Sequence, residues 1–235
     1  MVQITPISAL SDNYIWFIQE HNQVIIVDPA EDQKVLEVLK QANLTPVAIL
    51  LTHNHSDHTA GVAGIKQRYP ELIVYGSCEV SEFADRIVYD GDRIELLGHQ
   101  FEVFETAGHT AHHISYLMDL EHLFCGDSLF SAGCGRVFTG DYQAQFAALQ
   151  RFKSLPDIVK VYAAHEYTLT NLKFAETVLP ISCSFVEYQE LAQIKRAQGK
   201  PTLPSTIGVE MQINPFLKSE NLQEFIRLRK LRDNF

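Results

Sequence analysis

Cysteine is scarce in this chain, and so are basic residues and long apolar runs. Only four of the 235 residues are cysteines (Cys78, Cys125, Cys134 and Cys183), far apart and with no C-x-x-C pair. That spacing excludes a disulfide framework and suits a reducing compartment. The longest apolar runs, Tyr14–Ile18 and Val47–Leu51, are far too short to span a bilayer. Met1-Val2-Gln3-Ile4 lacks the basic stretch and apolar core of a secretory leader. A cytoplasmic protein with no membrane partner is expected. Lys and Arg number 19 against 29 Asp and Glu, a formal charge of −10, which argues against a nucleic-acid partner because phosphate binding depends on basic surface. Repeats and low-complexity stretches are absent as well.

What is present is an ordinary globular composition, 46% hydrophobic and 20% charged, on a chain long enough to bury most of its unfolded surface. Gln3–Ile7, Tyr14–Gln19, Gln23–Val27, Val47–Leu51, Leu72–Tyr75, Arg93–Leu96, Phe101–Thr106, Ile114–Met118, Leu123–Cys125 and Val159–Ala163 read as strands. Gln33–Gln41 and Thr59–Arg68 read as helices, and Asp141 caps another that runs to about Lys153. Strands with intervening helices predict an α/β sandwich. From Thr168 the pattern turns helical: Thr170–Val178, Phe185–Gln198 and Leu222–Asp233. Ser184 with Glu187, and Asn221 with Glu224, read as capping boxes. The proline-bearing segment between the last two helices (Pro201, Pro204, Pro215) reads as an extended loop. A boundary is expected near residue 167, giving domains 1–167 and 168–235.

Residues 52–61 read Thr-His-Asn-His-Ser-Asp-His-Thr-Ala-Gly, four ligand-type side chains in six residues just beyond an apolar strand. In an extended chain, alternation turns His53, His55 and Asp57 to one side and His58 away. Neutral imidazole and carboxylate are typical ligands of zinc-like ions. His109, Asp127 and His165 each follow a further expected strand, at the edge of an α/β sheet where functional groups converge. Seven ligands exceed what one ion ordinarily takes and imply two divalent ions, Zn2+ by preference, with Fe or Mn as alternatives. Divided evenly, His53, His55 and His109 hold one and Asp57, His58 and His165 the other, with Asp127 between them.

The H-x-H-x-D-H run with its later His, Asp and His resembles the metallo-β-lactamase superfamily. Within it the chain is similar to glyoxalase II, the hydroxyacylglutathione hydrolases. The matching segments are Asp12-Asn13-Tyr14, Cys125-Gly126-Asp127-Ser128-Leu129-Phe130, Gly133-Cys134-Gly135-Arg136, His165-Glu166-Tyr167, Pro204-Ser205-Thr206, Asn214-Pro215-Phe216 and Arg232-Asp233-Asn234-Phe235. The resemblance implies an αββα sandwich with a small C-terminal helical domain that binds substrate. It implies hydrolysis of the thioester S-D-lactoylglutathione to D-lactate and glutathione, a step of methylglyoxal removal. The attacking hydroxide would bridge two metal ions, held by Asp57 and Asp127, with no catalytic residue separate from the ligands. The glutathione moiety would lie on Arg136, Phe138, Tyr167, Arg229 and Arg232. Arg136 stands where many relatives have lysine, Phe138 where they often carry tyrosine, and His112 where glycine is usual. A lactonase, another thioesterase or a mononuclear-iron persulfide dioxygenase are the alternatives within the same superfamily. A monomer is expected.

The last helix points the same way without the family. At 100° per residue, Leu222, Phe225, Ile226 and Leu228 form an apolar arc that also contains Arg229 and Arg232, whereas Arg227 and Lys230 face away. A guanidinium on an inward stripe needs an anion, supplied either by a ligand or by a structural ion pair. His113 reads as a structural hydrogen-bonder, His21, His99 and His122 as turn residues, and Cys134 as part of a tight turn. Asp28-Pro29 reads as a turn that also supports the ligand loop from behind.

Overall fold

The computed structural model describes residues 2–235; Met1 lies outside the described residues. The chain divides into two compact units. One comprises the residues up to Glu105 together with His112–Asp119, the other Thr106–Ala111 and Leu120–Phe235.

The first unit runs β1 (Gln3–Ala9), β2 (Asn13–Glu20), β3 (Gln23–Val27), α1 (Asp32–Gln41), β4 (Thr45–Leu50), α2 (Ser56–Thr59), α3 (Val62–Arg68), β5 (Ile73–Gly76), β6 (Arg86–Ile87), β7 (Arg93–Leu96), β8 (His99–Glu105) and β9 (Ile114–Met118). Strands β1 to β6 form a sheet in chain order, antiparallel as far as β3 and parallel beyond it. Its parallel centre is buried on both faces, with Val24, Ile25, Ile26, Ala48, Ile49 and Leu50 all at 0% exposure. This is why β3 and β4 read as continuous apolar runs rather than alternations. Helix α1 makes the crossover between them and presses Val35 and Leu39, one turn apart, into the same core as Ile26 and Ile49. Strands β7, β8 and β9 pair antiparallel.

The helix expected over Thr59–Arg68 is instead two helices, α2 and α3, broken at Ala60–Gly61. The Gly61 N–H donates to Pro29 O (2.8 Å), and a Cβ there would lie 2.6 Å from the carbonyl carbon of Glu31. The loop after β3 therefore holds the chain at the break.

The second unit contains β10 (His122–Gly126), β11 (Leu129–Phe130), β12 (Gly133–Cys134), α4 (Tyr142–Lys153), β13 (Lys160–Ala163), α5 (Thr168–Val178), α6 (Cys183–Ala197), β14 (Ser205–Thr206), α7 (Ile207–Ile213), α8 (Pro215–Lys218) and α9 (Leu222–Asp233). β13 pairs parallel with β10 and antiparallel with β14, and β11–β12 is a short hairpin. Asp141 caps α4, accepting from Ala144 N (2.9 Å). Ala132, Leu172, Ala175, Phe185, Ala192 and Ile213 form a buried cluster among the hairpin, α5, α6 and α7.

Two expectations are corrected here. The cap of α6 is Ser182, whose Oγ accepts from Phe185 N, not Ser184. The proline-bearing segment is not one loop, since it folds into β14, α7 and α8. Thr206 caps α7 through Val209 N (3.2 Å). Pro215 opens α8 at the first helical position, where its missing N–H is no loss.

Candidate metal centre

In the first unit the ligand-type run begins three residues beyond β4. Only its first part lacks helical structure: His55 is the N-cap of α2, and Asp57 and His58 lie within that single turn. The alternation argument therefore fails after His55, and His58 is not turned away. Its ring lies 4.0 Å from that of His53, centroid to centroid, and the His55 ring lies 4.7 Å from His53. His58 Nε2 is 3.7 Å from Asp57 Oδ2.

Behind these rings sits Asp28, 3% exposed and with a left-handed φ of 50°. Its Oδ1 accepts from Thr52 N (2.8 Å) and its Oδ2 from Thr52 Oγ1 (2.7 Å), while His58 Nδ1 lies 3.0 Å from Oδ2. An ionised carboxylate only accepts, so His58 carries its proton on Nδ1. Because the Thr52 hydroxyl hydrogen goes to Asp28, Thr52 Oγ1 must accept from His53 Nδ1, 3.0 Å away. Both imidazoles thus present an Nε2 lone pair. This is the outer arrangement that orients metal-binding histidines. Asn13 Nδ2 donates to Asp57 Oδ2 and to its backbone carbonyl, both at 3.1 Å. His113, buried at 0%, stacks on His53 with centroids 4.9 Å apart.

In the second unit Asp127 directly follows β10 and His165 follows β13 by two residues. The Asp127 carboxylate lies between two imidazoles: Oδ2 is 3.3 Å from His109 Nε2, and Oδ1 is 3.3 Å from His165 Nε2. All three residues are buried. His109 Nδ1 donates to the backbone carbonyl of Arg136 (2.8 Å), so its Nε2 also offers a lone pair toward the carboxylate. Gly135 makes this closeness possible, because a Cβ there would lie 2.0 Å from Asp127 O and 2.9 Å from His109 Nδ1. The His109 lone pair that faces the carboxylate repels it unless a cation lies between, so the donor set fits a metal.

The five residues implied for substrate all lie in this second unit. The Tyr167 ring lies flat on His165, centroids 4.7 Å apart and planes 4° apart. Phe138 is edge-on to His109 at 5.3 Å, and the Arg136 guanidinium stands 5.9 Å from its centroid. Phe138 is 63% exposed and the Arg136 side chain 56%. Arg229 is different, being 4% exposed with its partners inside the chain. Nη1 donates to Cys134 O (2.7 Å), Nη2 and Nε reach Asp233 Oδ1 (3.0 and 3.2 Å), and Phe216 lies beneath it. Arg136 Nε is 3.3 Å from the same oxygen. Arg232 is half-buried and donates to Asn171 Oδ1 (3.3 Å). Burial lowers its pKa, with neighbouring Arg229 adding to the effect.

Sequence reasoning found no role for Thr52, Asn13 or Glu210. Thr52 opens the ligand run and Asn13 sits in a quoted segment, but nothing local marks their partners.

Residues 10–165 match the family model described as the metallo-β-lactamase superfamily, and residues 166–235 match the hydroxyacylglutathione hydrolase C-terminus. Among curated proteins, the chain is 66% identical to a hydroxyacylglutathione hydrolase of Glaesserella parasuis and 58% identical to one of Actinobacillus pleuropneumoniae, each over 100% of both chains. Among solved structures, ETHE1 from Myxococcus xanthus aligns with a TM-score of 0.75 at 24% identity, covering 98% of this chain and 90% of that one. BJP-1, a subclass B3 metallo-β-lactamase of Bradyrhizobium japonicum, aligns with a TM-score of 0.62 at 17% identity over 100% and 90%. These two likenesses show the fold, mixed sheets with helices. With both family models matched end to end along its length, the chain belongs to the hydroxyacylglutathione hydrolase family, metal-dependent thioester hydrolases of the metallo-β-lactamase superfamily.

Proposed function

We propose that this protein hydrolyses S-D-lactoylglutathione to D-lactate and glutathione in the cytoplasm, as a monomer, and so serves methylglyoxal removal. The observation that carries this reading is Asp127, whose two oxygens each face a different histidine Nε2. A carboxylate so placed suits a bridge between two ions. The His53, His55, His109 set and the Asp57, His58, His165 set would each hold one, zinc by preference. Residues 1–167 would serve as the catalytic domain and 168–235 as the substrate-binding domain. No described helix is long and apolar enough to cross a membrane.

When bound, paired divalent ions supply Lewis acidity and a water that ionises near neutral pH. The chain's own residues do the rest. Asp28, Thr52 and the Arg136 carbonyl hold His58, His53 and His109 in the tautomer that ligates. Asn13 fixes the carboxylate of Asp57, which with Asp127 orients the attacking water. Attack at the thioester carbonyl forms the new C–O bond, and the C–S bond then breaks with its electron pair on sulfur. A cysteine-type thiol has a pKa of about 8.5, so the thiolate departs without a separate general acid. Arg136, Phe138 and Tyr167 present charge and aromatic surface for the glutathione moiety, with Arg229 and Arg232 behind them.

Loss of thioester absorbance and release of free thiol from S-D-lactoylglutathione, with metal analysis of the same sample, tests the proposal. Rapid lactone opening with the thioester untouched, or oxygen consumption on one iron per chain, would give the site to another branch of the superfamily.

A further inference from the structure

The hairpin β11–β12 begins two residues after Asp127, and Arg136 follows two residues after its end. The Arg136 carbonyl receives the Nδ1 proton of His109. One short loop therefore carries a ligand at its entry and the orienting group of a second ligand at its exit. The two ends touch at Gly135.

The tip of this loop is held from α7 and the start of α8. Glu210 Oε2 accepts from Ala132 N (2.8 Å) and from Asn214 Nδ2 (3.1 Å). The same amide nitrogen donates to Phe130 O (3.1 Å) and Gly133 O (2.9 Å). Asn214 Oδ1 meanwhile caps α8, accepting from Phe216 N (3.0 Å) and Leu217 N (3.3 Å). Glu210 and Asn214 are both at 0% exposure. Ala132 has a φ of 55°, a left-handed conformation that is uncommon for a residue with a Cβ. Burial raises the Glu210 carboxyl above its ordinary range, against hydrogen bonds that include those from Ala132 and Asn214.

We propose that Glu210 and Asn214 are positioning residues for the metal ligands Asp127 and His109, acting by fixing the tip of the hairpin that joins Asp127 to the Arg136 carbonyl. The inference rests on the binuclear reading above. It assigns the C-terminal helical segment a second task besides holding glutathione: setting the ligand geometry from behind.

The test uses Glu210→Ala, Glu210→Gln and Asn214→Ser. Each is compared with wild type for zinc affinity by chelator competition, for the visible spectrum of the cobalt-loaded protein, and for KM against kcat. Glu210→Ala should lower metal affinity about tenfold, the low end for partners behind a ligand, shift the cobalt spectrum and reduce kcat while leaving KM in place. Glu210→Gln should stay within about twofold of wild type, because an amide oxygen of the same reach still accepts from Ala132 N and Asn214. Asn214→Ser keeps a cap for α8 but is too short for the hairpin, and should reproduce the alanine variant. Wild-type affinity and an unchanged cobalt spectrum in folded Glu210→Ala or Asn214→Ser would overturn the inference. So would a glutamine variant that loses tenfold, since charge rather than the hydrogen bonds would then be responsible. Fewer than two metal equivalents in the unmutated protein would overturn the binuclear reading itself, a result distinct from any variant-to-wild-type ratio.

Discussion

His109 Nδ1 donates to the backbone carbonyl of Arg136 at 2.8 Å, whereas the Arg136 side chain is 56% exposed. One residue thus orients His109, a proposed metal ligand, with its main chain, while its largely exposed guanidinium pairs through Nε with Asp233 Oδ1. The two roles separate under mutation, because any side chain leaves the carbonyl in place.

Arg136→Ala should accordingly raise KM for the glutathione thioester about 10- to 100-fold, the worth of one charge-assisted hydrogen bond, with little change in kcat or metal content. Arg227→Ala, exposed on α9, is the control and should do little. Arg229→Ala should instead be destabilising by roughly 1–3 kcal/mol, because it leaves the buried Cys134 carbonyl without its donor and removes one of the two arginines on Asp233. Steady-state kinetics beside denaturant unfolding distinguishes the two arginines. Equal KM for wild type and Arg136→Ala would remove Arg136 from the substrate site.

On the proposed binuclear reading, Asp127→Ala should lose at least one of two metal equivalents and most of the activity, since the two oxygens of this one carboxylate each face a different histidine Nε2. Metal analysis after gel filtration reads the stoichiometry. Retention of both ions would rule out the bridging role.

Stability should depend on pH through Glu210. Its folded pKa lies above 4.5 because burial disfavours the charged form. Its contribution is therefore fully present below 4.5 and is lost as pH rises through the folded value. Glu210→Gln lacks this titration, so it should gain on wild type as pH rises from acid toward neutral. Urea unfolding of both proteins across that range checks the sign; a constant difference would contradict it.

Two thiols should react quickly with a thiol reagent and two slowly. Cys78 and Cys183 are exposed, Cys125 and Cys134 buried. Burial pushes the Cys134 thiol up, with Arg229 drawing it partly back. Because no proposed ligand is a cysteine, activity should survive the fast phase. Complete inactivation in step with it would point to a thiol in the chemistry.

The candidate ligand residues stood out because four of them crowd into six residues and the others follow strands that read clearly as β. What stands behind it was not legible. Asp28 and Thr52 lie 24 residues apart, and Glu210 lies 78 from Ala132, so each pairing exists only once the chain has folded. Arg229 was correctly read as inward-facing, but its anion, Asp233, is one turn along the same helix. The loop assigned to the proline-bearing segment failed because its prolines were read together as an extended stretch, whereas Pro215 at the first position of α8 starts a helix. Ser184 was read as the cap because Glu187 completes a box with it, although the backbone turns helical after Ser182.

Asp28 meets two unrelated demands. Its left-handed backbone favours glycine, asparagine and aspartate over most other side chains. Its three partners, Thr52 N, Thr52 Oγ1 and His58 Nδ1, all donate and require two accepting oxygens on a short stem. Glycine and asparagine meet the first demand, and glutamate approaches the second. Aspartate meets both together. Substitution at position 28 therefore reaches His53 and His58 through Thr52 and the shared carboxylate, although the position lies outside the histidine run.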